Sequence, residues 1–206
     1  MDNMEMEATG RSRGDWILHG EFHQTVAYLS DHKKMLGFNP FCHSVELTDT
    51  ENVYKWLFRV TDPQSNPFDV IFYVKQMEEP LLELPDDIER TETSLLSEEI
   101  INRYTVGKTI RWQHHPVAGQ IDDPAKYLFE GKAFANMHMR PVESTKTRVQ
   151  LDLKVDVRFI LYPAFRIVPE PILHAMTNAA ISIIMQASTN SMFHSISKDF
   201  KNITNA

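Results

Sequence analysis

A single cysteine, Cys42, excludes an internal disulfide and leaves too few thiolates for a cysteine-built zinc site. It reads as a small buried apolar residue. With only seven glycines, the chain has no G-x-G-x-x-G or Walker-type loop, so the usual backbone cradles for nucleotide phosphates are missing. Basic residues are outnumbered, 21 Lys and Arg against 28 Asp and Glu, for a net charge of −7. No stretch interleaves basic with aromatic residues, so nucleic acid is not an expected partner. Met1 to Gly14 contains no apolar run of signal-peptide length and reads as a flexible polar lead-in (residues 1–14) to one domain over residues 15–203. A reducing, cytoplasmic setting is the default that fits the lone thiol.

What the chain has instead is alternation. Trp16, Leu18, Phe22 and Val26 read as one face of a first strand, with His19, Glu21, His23 and Thr25 opposite. Ser30 reads as the N-cap of a short helix running to Leu36 and stopped by Gly37 and Pro40. Val45 and Leu47 begin a second strand that turns at Asp49 to Asn52. Tyr54, Trp56, Phe58 and Val60 face inward on a third, with Lys55 and Arg59 outward. A reversal at Asp62 to Pro67 leads to a fourth, with Phe68, Val70, Phe72 and Val74 on one side. Glu78 to Glu99, acidic and broken by Pro80 and Pro85, reads as a solvated excursion; Ser94 to Asn102 fits helix or strand equally. Val106, Lys108, Ile110 and Trp112 then alternate with Gly107, Thr109 and Arg111. A polar loop, Gly119 to Ala125, precedes a strand from Tyr127 to Met139, and Pro141 to Lys146 turns into the clearest strand of all. There Val149, Leu151, Leu153, Val155, Val157 and Phe159 oppose Arg148, Gln150, Asp152, Lys154, Asp156 and Arg158. One buried and one wet face is the signature of antiparallel sheet.

After a proline-rich corner, Tyr162 to Pro171, no Asp, Glu, Lys or Arg occurs from Pro171 to Ser197. The segment is too rich in Ser, Thr, Asn and His for a membrane span. It reads as a long, largely buried helix opened by Pro169 to Pro171. Ile172, Met176, Ala179, Ile183 and Ala187, widened by Leu173, Ala180 and Ile184, form its expected inward stripe. On that reading Ile183→Asp unfolds the protein. Thr177, Ser182, Ser188 and Ser191 form a small polar flank, open to two readings: packing against the chain's own first helices, or docking of a partner.

The order of elements, and particular residues, resemble the START-like (SRPBCC, helix-grip) superfamily. The likeness is closest to a branch of unknown function found mainly in photosynthetic lineages. It is carried by Thr147 to Phe159, Pro163-Ala164-Phe165, Pro169 to Pro171, Thr177-Asn178-Ala179, Asp199-Phe200, and Tyr28-Leu29 with His32 and Lys33. Thr177 stands where that branch usually has Gly. The resemblance implies an α+β helix-grip fold: a curved antiparallel sheet of six or seven strands wrapped around the C-terminal helix, with short helices after the first strand and an apolar cavity inside.

No catalytic constellation stands out. His19, Glu21 and His23 would share one face of a strand and could hold zinc or iron. Leu18 and Phe22 place the opposite face in the core, however, so no metal is assigned, and no cofactor. Asp152 and Asp156 are interleaved with Lys154 and read as a solvated charge ladder. His114-His115 reads as an incidental loop pair. The cavity remains. Trp56, Phe58, Phe72, Trp112, Phe134, Met176, Ile183 and Ala187 are its expected lining, with Tyr54, Tyr73, Arg111, Asn136, His138 and Asn178 as candidate orienting groups. The implied partner is an apolar small molecule of lipid, isoprenoid, quinone or tetrapyrrole class, with peripheral membrane contact compatible and no transmembrane segment. Two other readings stay open: a polyketide-cyclase-like enzyme, for which a buried ionisable group in the cavity would speak, and a non-enzymatic assembly protein.

Overall fold

The structure is a computed structural model that describes residues 5–61, 67–86, 96–118, 128–160 and 168–204. The elements are β1 (Glu5–His19), α1 (Phe22–Ser30), α2 (His32–Leu36), β2 (Cys42–Leu47), β3 (Val53–Thr61), β4 (Pro67–Leu82), α3 (Glu98–Tyr104), β5 (Thr105–His114), β6 (Leu128–Glu143), β7 (Lys146–Ile160) and α4 (Glu170–Thr204). The strands form one seven-stranded sheet in the order β1-β7-β6-β5-β4-β3-β2, with neighbours antiparallel. β4 and β6 also pair directly, in parallel, over Asp69–Phe72 and Leu128–Gly131. That pairing draws the sheet into a curl. The long helix α4 and the short helices α1 and α2 pack against its inner face.

The core follows the alternation in β3, β4, β5 and β7. Trp56, Val70, Phe72, Val74, Ile110, Trp112, Val149 and Leu151 are buried together with Met192, Phe193 and Ile196 of α4. The outer face is laced by ion pairs, among them Arg59 and Asp69 (2.7 Å) across β3 and β4, and Arg13 and Asp152 (2.8 Å) across β1 and β7. Such exposed pairs contribute little each, about 0–1 kcal/mol, and mainly keep that face wet.

Three expectations are corrected here. The first strand ends at His19, and Phe22 to Ser30 is helix, so Phe22 and Val26 do not continue the Trp16 and Leu18 face. Residues 5–14 are strand, not a flexible lead-in: Met6, Ala8, Gly10 and Ser12 point inward and Glu7, Arg11 and Arg13 outward. Small inward residues carry no hydrophobic signal, so the alternation is easy to miss. β4 also runs on through Glu78, Glu79 and Pro80 to Leu82, paired with β5. Glu79 is the outward partner of Arg111, while Glu78, in phase with Ile110, pairs with Lys108 at the end of the inner face; both charges are matched, which explains a strand that looks like a loop.

The remaining local expectations shift little. Asp31, not Ser30, caps α2, its carboxylate accepting from Lys34 N at 3.0 Å. Residues 98–104 are helical. The turn at Asp62 to Asn66, the loop Gly119 to Ala125, Tyr127, the corner Tyr162 to Ile167 and residues 87–95 lie outside the described residues.

Candidate functional site

α4 decides the shape of the interior. Its buried residues are Leu173, Ser188, Thr189, Met192, Phe193, Ile196 and Phe200. The stripe expected to face the sheet is turned away from it: Ile172 is 53% exposed, Met176 60%, Ile183 70%, and Ala187 is only partly covered. The residues that do face inward include Thr177, Ser182 and Ser188 of the small polar flank. Asn178 Oδ1, Ser182 Oγ and Gln186 Oε1 accept from the backbone N–H groups of Thr9 (2.8 Å), Arg11 (3.1 Å) and Arg13 (3.0 Å). Gln186 also returns a bond from Nε2 to the Arg13 carbonyl at 2.7 Å. Four helical residues rise about 6 Å and two strand residues about 6.6 Å, so the two periodicities match over three successive contacts. β1 is an edge strand, and α4 satisfies three of its N–H groups. Of the expected flank, Ser182 is taken up by β1, Ser188 bonds Asn39 in the loop that follows the first two helices, and Ser191 is exposed.

Between the inner face of the sheet and α4 lies a cavity of about 340 Å³. This is at the lower end of the range for small-molecule sites, roughly 300–1,000 Å³. Trp56, Phe58, Phe72 and Trp112 line it, as do Leu151, Val155, Ile181 and Met185. Its space comes from small residues on β6: Ala133 and Ala135 face inward, where bulky side chains would fill the curl. The same alternation puts Phe134 on the outside, 38% exposed, with Lys154 Nζ 5.8 Å from its ring centroid. Phe134, Met176, Ile183 and Ala187 are thus removed from the lining. Ile184, one step away, belongs to it.

None of the six candidate orienting groups is among the lining residues. Arg111 binds Asn136 Oδ1 (3.1 Å) and Glu79 (2.5 Å) on the outer face, beside His138, which meets Thr109 Oγ1 at 2.9 Å. Tyr73 lies on that face of β4, opposite in phase to Phe72 and Val74. Asn178 serves β1, and Tyr54 packs on the His32 ring at 4.2 Å. The polar residues that do line the cavity are Asn39, Thr177, Ser188 and Thr189. No charged side chain is found among the described lining residues.

Behind the two tryptophans sits a buried network that sequence reasoning missed. His32, 2% exposed, accepts at Nε2 from Trp56 Nε1, and its Nδ1 lies 2.7 Å from Gln76 Oε1. An indole N–H only donates, so Nε2 is bare; Trp112 Nε1 lies 3.1 Å from Nδ1 but 3.0 Å from Gln76 Oε1, which takes that donor and leaves the proton on Nδ1. Gln76 Oε1 then accepts from both His32 and Trp112 Nε1 (3.0 Å). Burial pushes the His32 pKa down to about 4, which keeps the ring neutral. The network ties α2 to β3, β4 and β5. Its only trace in the sequence is a histidine at the start of a short helix.

The motif residues Tyr28, Asp199 and Phe200 form a second brace. Tyr28 OH donates to Asp199 Oδ2 at 2.6 Å, Lys34 Nζ is 3.2 Å from the same oxygen, and the Tyr28 and Phe200 rings meet edge-on at 5.0 Å. Burial and the neighbouring carboxylate raise the Tyr28 pKa. These residues clasp the C-terminal end of α4 to α1 and α2, away from the cavity lining.

The metal alternative loses its geometry. His19 ends β1, Glu21 precedes α1 as its N-cap and His23 lies in its first turn; Glu21 and His23 share only a surface contact of 3.3 Å. No metal-holding cluster of His, Cys, Asp and Glu occurs among the described residues. Gly10 to Gly14 matches the G-x-S-x-G spacing of a hydrolase nucleophile. It lies within extended β1, however, and Ser12, 2% exposed, bonds Thr189 Oγ1 at 2.9 Å. The strained strand-to-helix turn that such a nucleophile needs is absent there. Burial raises the Cys42 thiol to about 11, so it is a poor nucleophile.

With cavity and helix placed, the architecture has a name. The chain has the helix-grip fold. Among solved structures, this helix-grip chain is similar to a protein from Thermus thermophilus, with a TM-score of 0.51 at 11% identity, covering 94% of this chain and 99% of that one. A START superfamily protein from Mycobacterium smegmatis follows at 0.49 and 12%, covering 94% and 99%. The Zhui aromatase/cyclase from a Streptomyces species stands at 0.45 and 12%, covering 94% of each. At such identities the likeness concerns the fold. No family model and no curated protein matches the sequence. Among the described residues, no helix is long and apolar enough to cross a membrane.

Proposed function

We propose that the chain holds an apolar small molecule in the cavity between the sheet and α4, for transfer, storage or presentation. The observation that carries this reading is the lining: aromatic and aliphatic side chains around about 340 Å³, with a few hydroxyls and one amide. Burying an apolar ligand there gains roughly 25 cal/mol per Å² removed from water. The ionisable group nearest the tryptophans, His32, has both ring nitrogens engaged and lies behind the lining. A cyclase would need a general acid or base that can reach the substrate. The lining therefore favours a carrier over an enzyme.

Membership of the START-like superfamily, and of its photosynthetic branch, is part of this proposal and rests on the sequence motifs. A cytoplasmic location is also part of it and rests on the single thiol. The exposed apolar face of α4, Ile172, Met176 and Ile183, is the surface this reading gives to peripheral membrane contact.

The test is mass spectrometry of an organic extract of the purified protein, beside a native mass spectrum of the intact chain. A stoichiometric apolar compound is expected. A bare chain mass, from a host able to make lipids, isoprenoids, quinones and tetrapyrroles, would count against a carrier.

A further inference from the structure

The cavity's polar residues are not equivalent, and the difference bears on what it would hold. Thr177 donates to the Leu173 carbonyl at 2.8 Å, and Ser188 Oγ donates to Asn39 Oδ1 at 2.9 Å. Thr189 shares a bond with Ser12. The indole N–H groups of Trp56 and Trp112 are spent on His32 and Gln76. Thr189 Oγ1 accepts from Ser12 and keeps one rotatable O–H, but Asn39 alone offers a fixed pair of N–H groups. It sits in the loop after α2, with its backbone N bonded to Leu36 O (2.9 Å) and its carbonyl to Cys42 N (3.1 Å). Its Oδ1 takes a second bond from Phe41 N at 3.0 Å.

That bond fixes the amide orientation, because a backbone N–H needs an acceptor opposite it. Oδ1 is saturated by two donors. Nδ2 is left with two N–H groups and no acceptor within hydrogen-bond distance among the described residues. The cavity thus has one anchored amide donor and no counter-charge.

We propose that Asn39 makes the cavity selective for neutral ligands that carry an acceptor oxygen, a carbonyl above all, on an otherwise apolar body. This deepens the carrier reading and rests on it. A hydrocarbon leaves the Asn39 amide unpaired when the ligand covers it, at the expense of a buried donor. An ionised carboxylate finds the same donor but no cation, and loses its hydration in an apolar lining. A ketone, quinone or ester meets the amide and carries no charge. A hydroxyl oxygen can also accept, but its own proton finds Oδ1 already filled.

Displacement of bound Nile red at a pH of about 8, where a fatty acid is ionised, separates these cases. The competitors are methyl nonyl ketone, undecane and undecanoate, which share a chain length. The ketone is expected to bind about tenfold more tightly than either of the others, the worth of one hydrogen bond. Asn39→Asp keeps an oxygen for Phe41 N and Ser188 but replaces Nδ2, so the ratio of ketone affinity to undecane affinity should fall to about one, whatever the change in the affinity of each. Equal affinities for the three in the unaltered protein would overturn the selectivity and leave the carrier reading standing. Tightest binding by undecanoate would overturn it too. If neither Nile red nor any competitor bound, the carrier reading itself would fall, and this inference with it.

Discussion

His32 is the most deeply buried of the described titratable residues. Its neutral Nδ1–H form fits between an indole that can only donate and an amide oxygen that accepts, and a second ring proton would face the Trp56 N–H. The folded pKa of about 4 lies below the unfolded value of 6.5. Between those values the unfolded chain binds the proton more readily, so stability rises with pH across that window and levels off above it. The gap corresponds to roughly 3 kcal/mol lost as pH falls from about 6.5 to about 4. Urea unfolding at a series of pH values should show that loss. His32→Gln, which cannot titrate, should be less stable near neutrality but should flatten this part of the profile.

At the scale of elements, the pairing of α4 with β1 is where structure and sequence reading part most clearly. Heptad-like spacing from Ile172 to Ala187 suggests one stripe, yet the phase is set at the other end, where Phe193 stacks on Trp16 with ring centroids 3.7 Å apart. Counting back in helical steps from Ile196, Phe193 and Met192 brings Thr189, Met185, Ser182 and Asn178 to the sheet. Ser182 and Asn178 are polar because they serve the edge N–H groups of β1, a requirement invisible to a hydrophobicity pattern. Gly10 belongs to the same arrangement: a Cβ there would lie 2.3 Å from Met185 Sδ and 2.4 Å from Ile181 Cγ2.

Two consequences follow for mutants. Ile183→Asp, expected from sequence to unfold the protein, should instead shift stability by no more than about 0.5 kcal/mol, as at other exposed sites. Phe193→Ala should cost about 3–5 kcal/mol. Thermal unfolding of the pair distinguishes the two helix phases. Replacing Asn178, Ser182 and Gln186 together by Ala should bare the β1 edge, lowering stability and promoting strand-edge self-association, which sedimentation velocity would report. The strands, by contrast, were legible wherever large apolar residues alternate with charged ones, as in β3, β5 and β7. They were obscure where the inward residues are small or the outward ones acidic.

For the molecule as a whole, the architecture was readable from the order of elements, because one long uncharged helix after an alternating sheet has few ways to bury itself. The cavity was readable only in part. Trp56, Phe58, Phe72 and Trp112 announce themselves by size, whereas the room between them depends on Ala133 and Ala135, which a search for large apolar residues passes over. The polar end at Asn39 sits in a loop, where no periodicity marks it. Function therefore turns on whether that room is open to a ligand.

The most direct measurement is Nile red titration of the unaltered protein beside Ala135→Phe, which places a ring in the cavity opposite Trp112 and away from the contacts between α4 and the edge of β1. One saturable site in the unaltered chain, lost in a variant that remains folded by circular dichroism, is the predicted result. Undiminished binding by the folded variant would contradict the account, because the dye would then be bound elsewhere.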